Sequence, residues 1–356
     1  MVSVRKEIRE LNNYFVPQEK DTIKLNQNES PFDLPLSLKK EINQEWINFN
    51  WARYPEYENQ ELLLSLAQYT GYHPEGILLG NGSNELIQSV FLTFLEKGEK
   101  LLVPEPCFSI YYRLGRILHA VITFSKMNEN FQYEGKRILE IIRKSEPELT
   151  VFPSPHNPCG AELEKAVIEE MCHLSPGIVV IDEAYYEFSG KTVIDLLDKF
   201  DNLLILRTFS KAFGLAGLRA GYLLGKPALI EQISKVKLPF SVNSFNQLAL
   251  LKVLNQRKYM EKVVSLINQE REKLTQLLSQ IKEIKTYPSE ANFILFEIRN
   301  YPTRVVFEKL RERKILVRQF DSSQLKSCLR VTVGQENENQ IFLEKLKEII
   351  NELRRK

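Results

Sequence analysis

The sequence predicts an α/β protein with one large, mostly parallel sheet and a second, smaller α+β unit. Two patterns predict this fold. From about Glu61, short apolar runs rich in β-branched residues alternate with longer stretches of helical periodicity, which is typical of strands joined by crossover helices. After Lys237 the pattern changes to two long helical stretches with few helix breakers, and a new set of strands and helices follows them.

Seven apolar runs are predicted as strands, and together they imply one large sheet. They are GILLG (76–80), KLLVP (100–104), HAVITF (119–124), LTVFP (149–153), GIVVID (177–182), LLILRT (203–208) and AGYLLG (220–225). Between them, NELIQSVFLTFLEKG and AELEKAVIEEMCHL are predicted as crossover helices, and the first of these should be capped at its C-terminus by Gly98.

The second unit is predicted from the order of elements after the long helices. ANFILFEI, RVVFEKLRER, KILVRQF, CLRVTVG and ENQIFLEKLKEIINELRRK give a strand, a helix, two strands and a final helix. The segment up to about Pro35 has too little apolar periodicity to fold alone, so we expect it to pack on this unit. We therefore assign residues 36–255 to a large domain and residues 1–35 with 256–356 to a small one, linked by a helix from Asn255 to about Ile281.

Composition favours small molecules as ligands. The 356 residues carry a net charge of +2, with basic and acidic residues interleaved, which argues against nucleic acid and anionic membranes as partners. No apolar run approaches the roughly 18 residues of a membrane helix, and the first residues are unlike a secretory signal, so we expect a cytoplasmic protein. The four cysteines and four histidines show no metal-ligand spacing, so neither a structural metal nor a disulfide framework is expected.

Polar residues follow four of the predicted strands, and ligands of open α/β sheets gather at the carboxyl ends of strands. After GILLG, the turn at Gly82, Ser83 and Asn84 opens a helix, whose free backbone N–H groups are suited to a phosphate. Taken alone, a Gly-Ser-Asn sequence before a helix is more often an ordinary turn with an N-cap. After LTVFP, the segment SPHNPCG leaves Asn157 as an exposed amide donor. The alternative is that this segment is a connecting loop without a role in binding.

Two further strand ends carry charged residues. GIVVI leads into Asp182, with Tyr185 three residues later, and a buried carboxylate requires a partner unless it only caps a helix. LLILRT leads into Ser210 and Lys211, and Arg219 follows eight residues after the lysine. The alternative interpretation of Lys211 is a solvated surface charge. GLAGLRAG is not read as a dinucleotide fingerprint, because it comes late in the chain and follows a lysine.

Taken together, the four strand ends supply the groups that hold pyridoxal 5′-phosphate. The lysine would form the Schiff base, the aspartate would pair with the ring nitrogen, and the phosphate would lie on N–H groups, a hydroxyl and an arginine. The sequence therefore predicts an enzyme that depends on this cofactor.

Along nearly its whole length the chain resembles the fold-type I pyridoxal-phosphate aminotransferases, through NGSNE, SPHNPCG, DEAYYEF, SKAFGLAGLRAG and LRVTVG. Within them it is most similar to the histidinol-phosphate aminotransferases, through KLNQNESP, RYPE, EPCFSIYY, VNSFNQLAL, YPSEANFILF and CLRVTVG. The resemblance implies a homodimer that moves an amino group between L-histidinol phosphate and 2-oxoglutarate in histidine biosynthesis.

The resemblance also implies roles for single residues around the cofactor. Lys211 carries the Schiff base and moves the proton of the substrate's α-carbon, while Asp182 keeps the pyridine nitrogen protonated. Asn157 and Tyr185 donate hydrogen bonds to the ring's 3′ oxygen. The cofactor phosphate is bound at Gly82, Ser83, Asn84, Ser210 and Arg219.

Other implied roles concern the substrate and the second subunit. Phe108 stacks on the cofactor ring, although a phenylalanine there is otherwise core packing. Tyr54 reaches the cofactor phosphate of the neighbouring subunit. Arg330 binds the anionic end of the substrate, Arg318 adds a second positive charge unless it forms a surface ion pair, and Tyr14 or its neighbour Phe15 contacts the substrate.

Three alternative functions use the same fold. A threonine-phosphate decarboxylase shares this fold and takes a phosphorylated substrate, and an aromatic amino acid aminotransferase is the nearest alternative within amino transfer. A cofactor-sensing transcription regulator would need an added DNA-binding domain, for which the roughly 35 residues before the fold are too few.

Overall fold

The computed structural model describes residues 4–13 and 19–355. The described strands are β1 (Ile23–Lys24), β2 (Ile77–Gly80), β3 (Lys100–Glu105), β4 (Val121–Lys126), β5 (Leu149–Pro153), β6 (Ile178–Asp182), β7 (Leu203–Thr208), β8 (Gly221–Gly225), β9 (Ile284–Thr286), β10 (Phe293–Ile298), β11 (Ile315–Leu316), β12 (Arg318–Gln319) and β13 (Cys328–Thr332). The described helices are α1 (Lys6–Arg9), α2 (Leu36–Ile47), α3 (Gln60–Thr70), α4 (Ser83–Phe94), α5 (Ser109–Ile117), α6 (Gly135–Ser145), α7 (Lys165–Leu174), α8 (Tyr186–Ser189), α9 (Pro227–Ser234), α10 (Ser244–Asn255), α11 (Lys258–Ser279), α12 (Thr303–Glu312) and α13 (Glu336–Arg354).

The large sheet contains the seven predicted strands in the order β2-β8-β7-β6-β5-β3-β4, and it confirms the predicted fold class. Only β8 runs against its neighbours, since it pairs antiparallel with both β7 and β2. The residues just before β8 therefore lie at the same edge as the residues that follow β5, β6 and β7. This reversal brings Arg219 to the edge that carries Asp182 and Lys211.

The central strands are buried on both faces, which explains why they read as continuous apolar runs in the sequence. All residues of β5, β7 and β8 are buried. Along β7 the side chains alternate: Leu203 and Ile205 belong to one hydrophobic cluster, while Leu204 and Leu206 belong to another. A core on each face of the sheet holds the strand ends rigidly in place.

Two crossover helices differ from their predicted bounds. α4 ends at Phe94, four residues before Gly98, because Leu95 already has an extended backbone with φ −130°. The N–H of Gly98 instead donates to His119 O, in the turn between α5 and β4. α7 begins at Lys165, four residues later than predicted, because residues 161–163 bond back to the loop after β5: Leu163 N–H donates to Ser154 Oγ over 3.0 Å.

A second sheet has the antiparallel order β12-β13-β10-β9 and supplies the predicted elements of the small unit, with β9 in addition. β9 has three residues directly after α11, too few to show an alternating pattern. The predicted strand KILVRQF is split: β11 pairs in parallel with β1, whereas β12 pairs with β13. The pairing of β1 ties the N-terminal segment to this unit, while the proposed domain bounds stay a prediction.

Within residues 4–13 and 19–355, no helix is long and apolar enough to cross a membrane. Cys107, Cys159, Cys172 and Cys328 are free thiols.

Candidate active site

A cavity of about 280 Å³ lies at the carboxyl edge of the large sheet, where the second sheet and the N-terminal segment meet it. It brings together most of the predicted site residues: Ser83, Asn84, Phe108, Asn157, Asp182, Tyr185, Ser210, Lys211, Arg219, Arg318 and Arg330. Gly82 lies directly beside it in the turn before α4. Tyr54 does not line it, and Tyr14 lies outside the described residues, as does Phe15.

The turn before α4 is shaped for an anion. Gly82 has a left-handed φ of +77°, and a Cβ added there would lie 2.5 Å from a terminal nitrogen of Arg219, so no other residue fits without displacing the guanidinium. The guanidinium itself donates to Ser210 Oγ over 3.2 Å and to Ala216 O over 3.1 Å. Backbone N–H groups at a helix start, two serine hydroxyls and an arginine thus surround one point, which is the donor set that a phosphate requires.

Lys211 follows β7 and points its amine at the N-terminal segment, where Nζ donates to Gln27 O over 2.9 Å. Burial lowers the pKa of this amine to about 7, and the charges of Arg330 and Arg219 lower it further than the nearby carboxylates raise it. At neutral pH a large fraction of the amine is therefore uncharged, which a nucleophile and proton carrier needs. The contact with Gln27 has no signal in the sequence.

Asp182 ends β6 and is buried. Its Oδ2 accepts a hydrogen bond from the hydroxyl of Tyr111 over 2.5 Å, and its Oδ1 accepts from Ala184 N–H over 3.0 Å. Burial raises the pKa of the carboxyl to about 6, and these two hydrogen bonds oppose that rise. Sequence reasoning missed Tyr111, although it belongs to the same motif, EPCFSIYY, as Phe108.

Tyr185 is held from the N-terminal segment. Asn28 Nδ2 donates to Tyr185 Oη over 2.9 Å, and Asn28 N–H donates to Thr332 Oγ1 on β13 over 2.9 Å. Asn28 is buried and has φ +55°, a conformation that asparagine adopts more readily than most residues. The motif KLNQNESP marked this stretch, but the sequence did not indicate which asparagine reaches the phenol.

Two arginines of the second sheet line the cavity. Arg318 and Arg330 are directly opposite each other across β12 and β13. Arg330 donates to Asn157 Oδ1 over 2.6 Å and to Asn26 O over 3.1 Å, and its guanidinium lies 5.0 Å from the ring centre of Phe293. Asn157 is thus half-buried and engaged, not simply an exposed donor as predicted.

The cavity is electropositive. Four of its described lining residues are basic: Lys211, Arg219, Arg318 and Arg330. Asp182 is the one carboxylate among the lining residues that the structure describes. Such a pocket attracts molecules that carry several negative charges.

Two predicted aromatic residues lie at different depths. Phe108 is half-buried at the start of α5 and contacts Tyr111 edge to face, with ring centres 5.6 Å apart. Tyr54 is 82% exposed, and its ring stacks on Phe240 at 4.8 Å. Tyr54 therefore lies away from the cavity that contains Lys211 in its own chain.

Comparison with known proteins gives consistent matches. The sequence model of the family Aminotransferase class I and II matches residues 20–346. The histidinol-phosphate aminotransferase of Caldanaerobacter subterraneus subsp. tengcongensis is 38% identical over 349 residues, covering 98% of this chain and 99% of that protein.

Two solved structures are similar to the whole fold. The histidinol-phosphate aminotransferase from Sinorhizobium meliloti, solved in complex with pyridoxal-5′-phosphate, superposes with a TM-score of 0.90 at 22% identity and covers 99% of each chain. The histidinol-phosphate aminotransferase from Clostridium acetobutylicum gives a TM-score of 0.85 at 25% identity, covering 92% of this chain and 99% of that one.

Proposed function

This chain belongs to the Aminotransferase class I and II family, and we propose that it transfers the amino group of L-histidinol phosphate to 2-oxoglutarate, a step of histidine biosynthesis. The observation that carries the substrate assignment is the position of two arginines in the cavity that also contains Lys211. Arg318 on β12 lies directly opposite Arg330 on β13. The match to a histidinol-phosphate aminotransferase over nearly the whole of both chains supports the same substrate.

Two arginines side by side suit the two substrates of such an enzyme. L-Histidinol phosphate carries a phosphate and no carboxylate, whereas glutamate carries two carboxylates, so one set of cations must bind both kinds of oxyanion. The planar fork of arginine donates two parallel hydrogen bonds to either group. A second arginine adds charge where the phosphate dianion needs more than one counterion.

Pyridoxal phosphate is the cofactor that this function requires, and the residues of the cavity fit it. Its phosphate would lie at the turn of Gly82, with Ser83, Asn84, Ser210 and Arg219 around it. Its ring nitrogen would face Asp182, its ring oxygen would face Asn157 and Tyr185, and Phe108 would stack on its ring. When bound, the cofactor supplies an electron sink for the charge left at the substrate's α-carbon after proton loss.

Lys211 and Asp182 have separate roles: the lysine transfers the proton, and the aspartate provides a negative charge. An amine whose pKa lies at about 7, as that of Lys211 does, both accepts and donates a proton readily at neutral pH. Asp182 has a pKa of about 6, so it is mainly ionised above pH 6. Its negative charge would then stabilise the protonated ring nitrogen of the bound cofactor. Acidification thus removes both the base and the counterion.

Single-turnover kinetics of the first half-reaction tests the substrate. With the holoenzyme, L-histidinol phosphate should react at least about a hundredfold faster than unphosphorylated histidinol, because two charge-assisted hydrogen bonds are worth about 3 kcal/mol. Equal rates for the two amines would overturn the assignment. Release of carbon dioxide from phosphothreonine, or faster amino transfer from phenylalanine, would favour one of the alternative functions instead.

The same measurement separates the two arginines. Arg330→Lys should slow both half-reactions, because lysine keeps the charge but loses the fork. Arg318→Ala should slow the reaction of L-histidinol phosphate more than that of glutamate. Arg304→Lys, at an exposed position on α12, is the matched control and should change neither. An Arg318→Ala variant that slows glutamate equally would assign Arg318 to general anion attraction.

We also propose that the enzyme is a homodimer that works in the cytoplasm. Tyr54 stacks on Phe240, and three other apolar side chains, those of Ile47, Trp51 and Leu238, are 68–75% exposed. Exposed apolar clusters of this kind suit an interface with a second copy of the chain.

Mixing two inactive variants tests whether Tyr54 acts across that interface. Tyr54→Ala and Lys211→Ala should each be inactive or nearly so, but a heterodimer contains one site with both residues. After equilibration of a 1:1 mixture, up to about a quarter of wild-type activity should return, since half of the dimers are mixed and each has one intact site. Mixing without subunit exchange is the control. Heterodimers that form normally and stay inactive would show that Tyr54 does not act in trans.

A further inference from the structure

Tyr111 links α5 to the Asp182 carboxylate at the end of β6. Its side chain is fully buried, and its hydroxyl donates to Asp182 Oδ2 over 2.5 Å. The other oxygen, Oδ1, accepts from Ala184 N–H over 3.0 Å. Each oxygen of the carboxylate is thus held by a donor from a different element, which leaves the carboxylate with one orientation.

We infer that Tyr111 is a positioning residue, which holds the Asp182 carboxylate ionised and oriented toward the ring nitrogen of the cofactor. This inference rests on the proposed function, since it needs the cofactor to be pyridoxal phosphate. The residue acts through Asp182 and does not line the cavity itself.

The electrostatic setting explains why such a donor matters. Burial raises the pKa of Asp182 to about 6, and the neighbouring Glu183 raises it as well, whereas Lys211 lowers it. The hydrogen bond from Tyr111 is the strongest effect that opposes burial. Without it the carboxylate would take up a proton at a higher pH and would no longer pair with a protonated ring nitrogen.

Tyr111 itself can only donate this hydrogen bond as a neutral phenol. Burial raises its pKa well above the usual range, and the charge of Asp182 raises it further. Two other groups affect the phenol, Tyr133 and Cys107, and burial raises the pKa of both, so they are also neutral. Asp182 therefore carries the nearest negative charge in this group of side chains.

The position of Tyr111 also depends on Phe108. The two rings meet edge to face, with Phe108 at the N-cap of α5 and Tyr111 in its first turn. A ring stacked on Phe108 and an acid held by Tyr111 would thus both be positioned by the start of α5. This arrangement couples the stacking position to the orientation of the acid.

Tyr111→Phe tests the inference, because it removes only the hydroxyl. The acid limb of kcat/KM should move to higher pH by about one unit, since a hydrogen bond to a charged group is worth roughly one pKa unit or more. The dissociation constant of pyridoxal phosphate from the apoenzyme, followed by quenching of protein fluorescence, should rise about tenfold for the same reason. Tyr112→Phe is the matched control: its phenol is the next along α5, is 38% exposed, and should shift neither quantity.

A purely structural role would lower the unfolding temperature of Tyr111→Phe without moving the acid limb, and that result would overturn the inference. In an Asp182→Asn background, Tyr111→Phe should add no further shift, because asparagine does not ionise there; a shift that persists would also overturn it. Tyr111→Met, a second side chain without a donor, should reproduce the shift if the phenylalanine variant does not fold. Failure of the wild type to bind pyridoxal phosphate would instead overturn the proposed function and this inference together.

Discussion

Lys211→Ala should abolish measurable turnover in both half-reactions, while the protein still folds and still binds cofactor without a covalent link. Lys211 is the lysine that lines the cavity, and a large fraction of its amine is uncharged at neutral pH because burial lowers its pKa to about 7. No other described lining residue offers an amine that can attack a carbonyl and then carry the α-proton. The measurement is single-turnover kinetics with each substrate.

Lys237→Ala is the matched control for that variant. Lys237 is also a buried lysine whose pKa burial lowers, but it lies at a different cavity and donates to Ser241 Oγ over 3.0 Å. Its replacement should leave turnover close to that of the wild type. Borohydride reduction of the wild-type holoenzyme, followed by peptide mapping, should attach the cofactor to Lys211; attachment to Lys237 or to any other lysine would refute the assignment.

Asp182→Ala should slow turnover by at least about a thousandfold, which corresponds to roughly 4 kcal/mol of transition-state stabilisation. The carboxylate is buried with Tyr111 and Ala184 as partners, and its loss removes the negative charge that would keep the ring nitrogen protonated. Asp195→Ala is a suitable control, because Asp195 is an exposed partner of Lys165. Near-normal turnover of Asp182→Ala would leave the carboxylate with a structural role only.

The pH dependence of the wild type should follow from the same groups. Asp182 has a pKa raised to about 6, so its charge is lost as the pH falls through 6, and the uncharged fraction of Lys211 is lost as the pH falls through 7. Activity should therefore decline on the acid side between about pH 7 and 6. The pH profile of Asp182→Asn, compared with that of the wild type, identifies the part of the decline that protonation of Asp182 causes.

The strands of the large sheet could be predicted from sequence because burial on both faces makes their apolar runs continuous. Every predicted run overlaps its strand, with bounds that differ by at most two residues. The ends of helices were harder to predict. α4 stops before Gly98 and α7 starts late because backbone and side-chain hydrogen bonds from the adjoining loops compete with the helix there.

Much of the candidate site could also be predicted, because its polar residues lie at the ends of strands. Asn157, Asp182 and Lys211 follow parallel strands, so their presence at one edge of a sheet could be argued from chain order alone. Arg219 could not be placed by that argument, since it precedes a strand. Its arrival at the same edge depends on the reversed direction of β8, which pairs antiparallel with β7.

The sequence by itself determined the strands, the chemistry that they present and the family to which the chain belongs. The tertiary structure alone decided the partners of those groups: Tyr111 for Asp182, Asn28 for Tyr185, and Gln27 for Lys211. It also decided that Arg318 lies opposite Arg330, because the predicted strand KILVRQF divides between two sheets. These contacts join segments that are far apart in the chain, so no periodicity or spacing records them; they exist only once the packed sheets bring the segments within hydrogen-bond distance.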